Sequence, residues 1–345
     1  MMKQLSFAKN VVMSNFTRLS FPYKLTYVTT YKCQSRCLVC DIWKKDPVGE
    51  LTLEEIQQFF KKSNKFAWID ITGGEVFLRK DIVQIVKAMI DNCKNLFMIH
   101  IPTNSLMPSI IEKRVREIIE LNPKYFTVTC SLDGPPELND KLRGIPGDFD
   151  KVIETYKRLS SIKSKNLKVF IGFTLSHLNK GTFKETYEAV KKEIPWIKPN
   201  DFHMNVIHLS EHYYSNQNVD VGNKQDFIQE VEHFRKMRIN EFGPIPYLEH
   251  KYLKLVKKYI ETGKTPITCQ ALAASVFIDS YGDIYPCSIY SRKLANIKDI
   301  NYDLEAYWKT EEIKTIRKEI EEGKCPHCWT PCEAYQSILA KIGRA

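Results

Sequence analysis

Cys33-Gln-Ser-Arg-Cys37-Leu-Val-Cys40 follows closely on the apolar run Leu25-Thr-Tyr-Val-Thr-Thr-Tyr31. Three cysteines spaced x3 and x2, on a loop leaving a strand, supply three corners of a cubic iron–sulfur cluster. Most cluster-binding proteins supply four. The iron left without a thiolate keeps an open position, which makes a binding and reaction site instead of a sealed electron store.

Outward from this loop, β-rich runs alternate with amphipathic helical patterns. The runs are 25–30, 67–72, 96–102, 125–131, 168–175 and 201–207. Helices are expected at 52–63, 81–92, 109–121, 149–163, 182–193 and 224–240. Thr52-Leu-Glu-Glu55 reads as a capping box, and Ile82, Ile85, Val86 and Met89 share one helical face. Six βα units predict an α/β protein with a parallel sheet wrapped by helices. Six are too few to close an eight-stranded barrel, so the expected fold is a curved, partly open (βα)6 TIM-like barrel. Its ligands belong at the carboxyl ends of the strands.

Those ends carry the candidate residues. The second strand ends in Gly73-Gly74-Glu75. Paired glycines let backbone approach a ligand closely, and Glu75 can accept hydrogen bonds from an ammonium group. Alone, the tripeptide is as readily a turn. The third strand ends in Thr103-Asn104-Ser105. In the fourth, period two places Phe126, Val128, Cys130 and Leu132 under the helices. Thr127, Thr129, Ser131 and Asp133 fall on the inner side, with Ser131 and Asp133 at the mouth. Cys130 and Cys93 fall on apolar faces and are core thiols. Gly172 and Thr174 end the fifth strand, and His203 and Asn205 share one parity on the sixth. A buried, hydrogen-bonded histidine is the default for His203. His208 and His212 stand four apart with no carboxylate constellation, so they are expected to be structural or exposed.

The set Cys33/Cys37/Cys40, Gly73-Gly74-Glu75, Thr103-Asn104-Ser105 and Ser131-Leu-Asp-Gly-Pro through Asn139-Asp-Lys-Leu-Arg143-Gly resembles the radical S-adenosylmethionine (radical SAM) enzymes. Two positions depart from that pattern: Val39 where an aromatic usually precedes the third cysteine, and Ser105 where glycine is usual. The resemblance implies that SAM chelates the open iron of a [4Fe–4S] cluster. Gly73, Gly74 and Glu75 would contact its amino group, and Arg143 would clamp its carboxylate with a planar fork. Thr103, Asn104, Ser131, Asp133, Gly172 and Asn205 would line the rest of the cofactor. One electron then cleaves the sulfonium bond, giving methionine and a 5′-deoxyadenosyl radical that abstracts hydrogen from substrate. A ferredoxin- or flavodoxin-type donor is implied. No catalytic acid or base is assigned.

A second cysteine group follows a helical stretch at 248–262. Two short β runs around Tyr281-Gly282-Asp283 form a hairpin, and a helical segment is expected around 304–322. Cys269-x12-Gly282-x4-Cys287 resembles the opening of the SPASM and twitch extensions of the same enzymes. Cys325-Pro-His-Cys328-Trp-Thr-Pro-Cys332 adds three thiols. Five cysteines suffice for one auxiliary [4Fe–4S] cluster, and a full SPASM module carries more, so a twitch or truncated SPASM domain is expected. Cys269, Cys287 and Cys332 are its first three ligands, with Cys325 and Cys328 competing for the fourth. Cys-x2-Cys spacing alone suits structural zinc equally well. The expected organisation is a basic amphipathic lead-in at 1–23, the barrel at 24–245, and a small cysteine-rich α+β domain at 246–345.

Composition sets the remaining bounds. Hydrophobic residues at 43% and charged residues at 27% describe an ordinary globular chain. No apolar run approaches the roughly 18 residues of a membrane span, and no secretory signal is visible. With eight of ten cysteines in two clusters, a reducing, cytoplasmic compartment is expected. The net charge of +10 is spread over helices rich in both signs, so no nucleic-acid partner is expected. The first 24 residues contain Lys3, Lys9, Arg18 and Lys24 but no acid. A helix packed on the barrel and an interfacial helix on anionic lipid both fit them, and the second would give a peripheral membrane contact. The substrate stays open among a peptide, lipid, carbohydrate and cofactor precursor. No segment reads as a leader-peptide-binding domain, which weakens the peptide option without excluding it, and none reads as a cobalamin domain. A non-catalytic electron-transfer protein and a zinc-stabilised binding module are the rivals from other classes.

Overall fold

A largely parallel sheet forms the centre of the computed structural model, which describes residues 2–238 and 243–342. Six parallel strands, β1 (Lys24–Thr30), β2 (Trp68–Gly73), β3 (Met98–Thr103), β4 (Tyr125–Ser131), β5 (Leu167–Leu175) and β6 (Phe202–Val206), pair in sequence order. Ile69, Ile71, Ile99, Ile101, Phe126, Val128 and Cys130 point outward into the main core. They meet the apolar faces of α2 (Leu53–Lys62), α3 (Ile82–Asn92), α4 (Pro108–Glu120), α6 (Asp148–Ser160) and α7 (Phe183–Glu193). The capping box that starts α2 is present, with Glu55 N–H on Thr52 Oγ1 and Thr52 N–H on Glu55 Oε2. A short helix, α5 (Pro136–Arg143), is added between β4 and α6.

Helix α8 (Phe227–Met237) falls in the stretch expected at 224–240, of which residues 239 and 240 lie outside the described residues. Helix α9 (Pro244–Thr262) then leads to β7 (Ser275–Ile278), β8 (Asp283–Tyr285) and β9 (Ala295–Asn296). The expected hairpin is β7–β8. Strand β7 also pairs in parallel with β1, Lys24 opposite Ser275, so one nine-stranded open sheet runs β6-β5-β4-β3-β2-β1-β7-β8-β9. The cysteine-rich segment is therefore continuous with the barrel, and the expected boundary at 245/246 falls inside α9. Helices α10 (Leu304–Trp308), α11 (Glu311–Glu321) and α12 (Pro331–Leu339) complete the chain.

The lead-in forms α1 (Met2–Phe16). Its Phe7 packs on Tyr23, Trp68 and Phe97 at the amino ends of the strands, and Asn15 Nδ2 donates to the Leu339 carbonyl. Beneath it Lys24 is fully buried, 2.9 Å from Asp70. Among the described residues no helix is long and apolar enough to cross a membrane.

Candidate active site

The cysteine loop is held by the end of α5 and by the residue that follows β3. Arg36 N–H and Leu38 N–H donate to the carbonyls of Arg143 and Leu142 at the end of α5, both at 2.9 Å. Asn104 Nδ2 donates to Ser35 Oγ at 3.0 Å and lies 3.9 Å from Cys33 Sγ. Gly144 allows the first contact: its φ is +69°, and a Cβ there would stand 2.5 Å from the Arg36 carbonyl oxygen.

Cys33, Cys37 and Cys40 line one cavity at the carboxyl ends of the strands. Gly73, Gly74, Thr103, Asn104, Ser131, Asp133, Arg143 and Asn205 share its wall. Burial pushes the Cys37 thiol up to about 11 and Cys40 to about 12, with Arg143 pulling both down. Thiolate ligation here therefore needs a strong cation to displace the protons. Arg143 is tied to Asp133 Oδ2 at 3.1 Å, and its buried Nε has no partner among the described residues. A three-thiol wall with an unsatisfied guanidinium nitrogen beside it fits a cluster carrying an anionic ligand. Asp133 also accepts the Thr174 N–H through Oδ1 at 2.8 Å, which locks the ends of β4, β5 and α5 together.

Two expected cofactor contacts stand back from the cavity wall. Glu75 is fully buried and does not line the cavity. Its carboxylate accepts Phe77 N–H (3.1 Å), Asn104 N–H (2.7 Å) and the Thr103 hydroxyl (3.0 Å), so it joins the ends of β2 and β3. Gly172 is also set back from the wall. The close approach made by Gly73 and Gly74 is to the chain itself: a Cβ on either would lie 2.2 Å from a backbone oxygen, Thr30 O or Lys32 O. At Ser105 the left-handed turn typical of glycine is kept, with φ +67°.

The rest of the wall was missed. Much of it comes from Trp43 and from the loop after β6, with His208, Tyr213, Tyr214 and Asn216. Tyr213 Oη lies 2.6 Å from Thr72 Oγ1. Asn216 Nδ2 donates to the Val39 carbonyl at 2.9 Å and so reaches the cysteine loop. His208 is buried, as a structural histidine should be. Its Nε2 accepts the Trp329 N–H (3.1 Å), so Nδ1 carries the proton given to Val206 O (2.6 Å). Burial holds it neutral, with its pKa lowered to about 3. His212 is likewise buried and stacks on Tyr285. His203, by contrast, keeps 23% of its side chain exposed, which corrects the buried default.

A second, smaller cavity is lined by Cys269, Cys287, Cys325 and Cys328. Cys332, expected as a ligand, is not part of it. Helix α12 begins at Pro331 and turns Cys332 toward the base of the barrel, where its charged neighbours are Lys24, Asp70 and Glu333.

Residues 27–190 match the model of the radical SAM superfamily, and residues 269–329 that of the SPASM iron–sulfur cluster-binding domain. The antilisterial bacteriocin subtilosin biosynthesis protein AlbA of Bacillus subtilis is 23% identical over 313 residues, 85% of this chain and 61% of AlbA. The chain thus spans less than two thirds of that relative's length. Among solved structures, Streptococcus suis SuiB bound to precursor peptide SuiA superposes with a TM-score of 0.58 at 18% identity, over 91% of this chain and 70% of SuiB. The anSMEcpe protein with bound AdoMet and a peptide gives 0.58 at 17%, over 93% and 97%. At these identities the likeness is one of fold. By these matches, the chain carries a radical SAM domain followed by a C-terminal SPASM iron–sulfur cluster-binding domain.

Proposed function

We propose that this chain is a SAM-dependent radical enzyme that modifies a peptide. One observation carries it: Cys33, Cys37 and Cys40 line a cavity with Arg143, Ser131 and Asp133, and no fourth cysteine among the described residues lines it. A [4Fe–4S] cluster with SAM bound there supplies a 5′-deoxyadenosyl radical for hydrogen abstraction. The chain's own part is to bind, orient and exclude water. Arg143 would offer its free Nε to a carboxylate, and Ser131 and Asp133, on the same wall, would meet hydroxyls of the cofactor. Trp43, Tyr213 and Tyr214 shield the mouth. In the second cavity Cys269, Cys287, Cys325 and Cys328 provide a complete four-thiolate set for an auxiliary [4Fe–4S] cluster. A ferredoxin- or flavodoxin-type donor would supply the electron. The three-part division at 23/24 and 245/246 is kept as a functional one, with strand β7 joining barrel and cysteine-rich segment.

The peptide reading draws on the relatives. AlbA is named for the biosynthesis of a bacteriocin, and SuiB and anSMEcpe were both solved with peptides bound. The test is anaerobic incubation of the reconstituted protein with SAM, dithionite and a panel of precursor peptides. Formation of 5′-deoxyadenosine with a matching mass change in one peptide supports the reading. Turnover of lipid or sugar substrates with every peptide unchanged would contradict the peptide assignment.

A further inference from the structure

His203 sits on the inner face of β6, one alternation below Asn205, which lines the main cavity. Register places it opposite Gly172, which in turn is opposite Ser131 of the cavity wall. Gly172 brings no side chain to that level, and His203 itself lies one step below the cavity wall. Phe170, the next inward residue of β5, meets the His203 ring edge-on at 4.3 Å.

Behind the imidazole stands a buried carboxylate. Glu249 of α9 is 1% exposed, and its Oε1 lies 2.8 Å from His203 Nδ1. The Tyr335 hydroxyl of α12 donates to the same oxygen, while Oε2 has no partner among the described residues. Burial opposes its charge, yet His203, Arg238 and Tyr335 together hold the Glu249 carboxyl below the ordinary range. One turn along α9, Tyr252 Oη reaches Asn205 Oδ1 at 3.2 Å. Helix α9 thus addresses two successive inward residues of β6. An ionised carboxylate at Nδ1 fixes that nitrogen as the N–H donor and leaves Nε2 as an acceptor. His208 offers the contrast, since both its nitrogens are engaged by backbone.

We propose that His203 is the proton acceptor of the reaction, with Glu249 as its positioning residue. A weakly acidic N–H, S–H or O–H of the substrate gives its proton to Nε2. The bonding pair stays on the substrate atom, and the imidazolium formed is neutralised by the Glu249 carboxylate. No electron moves in this step. The inference rests on the radical reading of the cavity above it.

Diethyl pyrocarbonate labelling of the reconstituted holoenzyme, read by mass spectrometry at each histidine, tests the dyad without turnover. His203 should label at least tenfold faster than His208, and Glu249→Gln should slow His203 at least threefold while His208 stays silent as a control for the fold. In peptide assays, His203→Gln should lower the ratio of modified peptide to 5′-deoxyadenosine at least tenfold. A His203 as unreactive as His208, no effect of Glu249→Gln, or an unchanged ratio each overturns the proposal. Failure of SAM cleavage by the wild type, with labelling as expected, contradicts the radical reading and with it this role.

Discussion

The Glu75 carboxylate accepts the Asn104 backbone N–H at 2.7 Å, while the Asn104 side chain holds Ser35 in the cysteine loop. Through this pair a residue with no place on the cavity wall sets the position of the loop that carries Cys33, Cys37 and Cys40.

Burial raises the Glu75 carboxyl from 4.5 to about 7, against the hydrogen bonds from Asn104, Phe77 and Thr103 that lower it. Between those values the folded protein keeps a proton that the unfolded chain has released. The contribution of this group to stability is thus present in full below pH 4.5 and is lost as pH rises through about 7. Glu75→Gln has no such titration. Urea unfolding across that range should show the wild type losing ~3 kcal/mol relative to the variant. Parallel pH profiles would count against this account of Glu75.

Gly144 carries the contact between α5 and the cysteine loop. Its φ of +69° costs an alanine about 1–2 kcal/mol, and the Cβ placed 2.5 Å from Arg36 O must also push the loop away. Gly144→Ala should lower the melting temperature and reduce iron retained after reconstitution. An unchanged melting temperature and iron content would show that this contact does not hold the loop.

The second cavity takes four of the five C-terminal thiols. Cys325→Ala or Cys328→Ala should remove about half of the iron, the share of one of two four-iron clusters. Cys332→Ala should keep the full complement, because Cys332 lies toward Lys24 and Asp70 and away from the other four. Iron and sulfide analysis of the three variants decides the point, and iron loss in Cys332→Ala alone would restore the ligand set expected from spacing.

Much of the barrel was legible because its signals are local. Alternation in β4 separates Val128 and Cys130 from Thr129 and Ser131, and both outward residues are fully buried. Helical faces such as Ile82, Ile85, Val86 and Met89 behave likewise. What stayed hidden depends on contacts remote in sequence. Glu75 points away from the cavity because donors at the end of β3 are there to satisfy it. The parallel pairing of β7 with β1 joins residues some 250 apart, which no periodicity reveals. Tyr213 and Tyr214 sit on a loop whose path is set by Asn216 and the Val39 carbonyl. Spacing of x2 and x3 allowed any of Cys325, Cys328 and Cys332 as ligands, and the start of α12 at Pro331 is what turns Cys332 aside.

The most direct test of the central claim is SAM cleavage by the anaerobically reconstituted protein. The account predicts a brown protein with about eight irons per chain that forms 5′-deoxyadenosine from SAM only with a reductant. Cys37→Ala should abolish that product while leaving about half of the iron in place. A colourless, zinc-loaded protein, or an iron-replete one that leaves SAM intact, would contradict it.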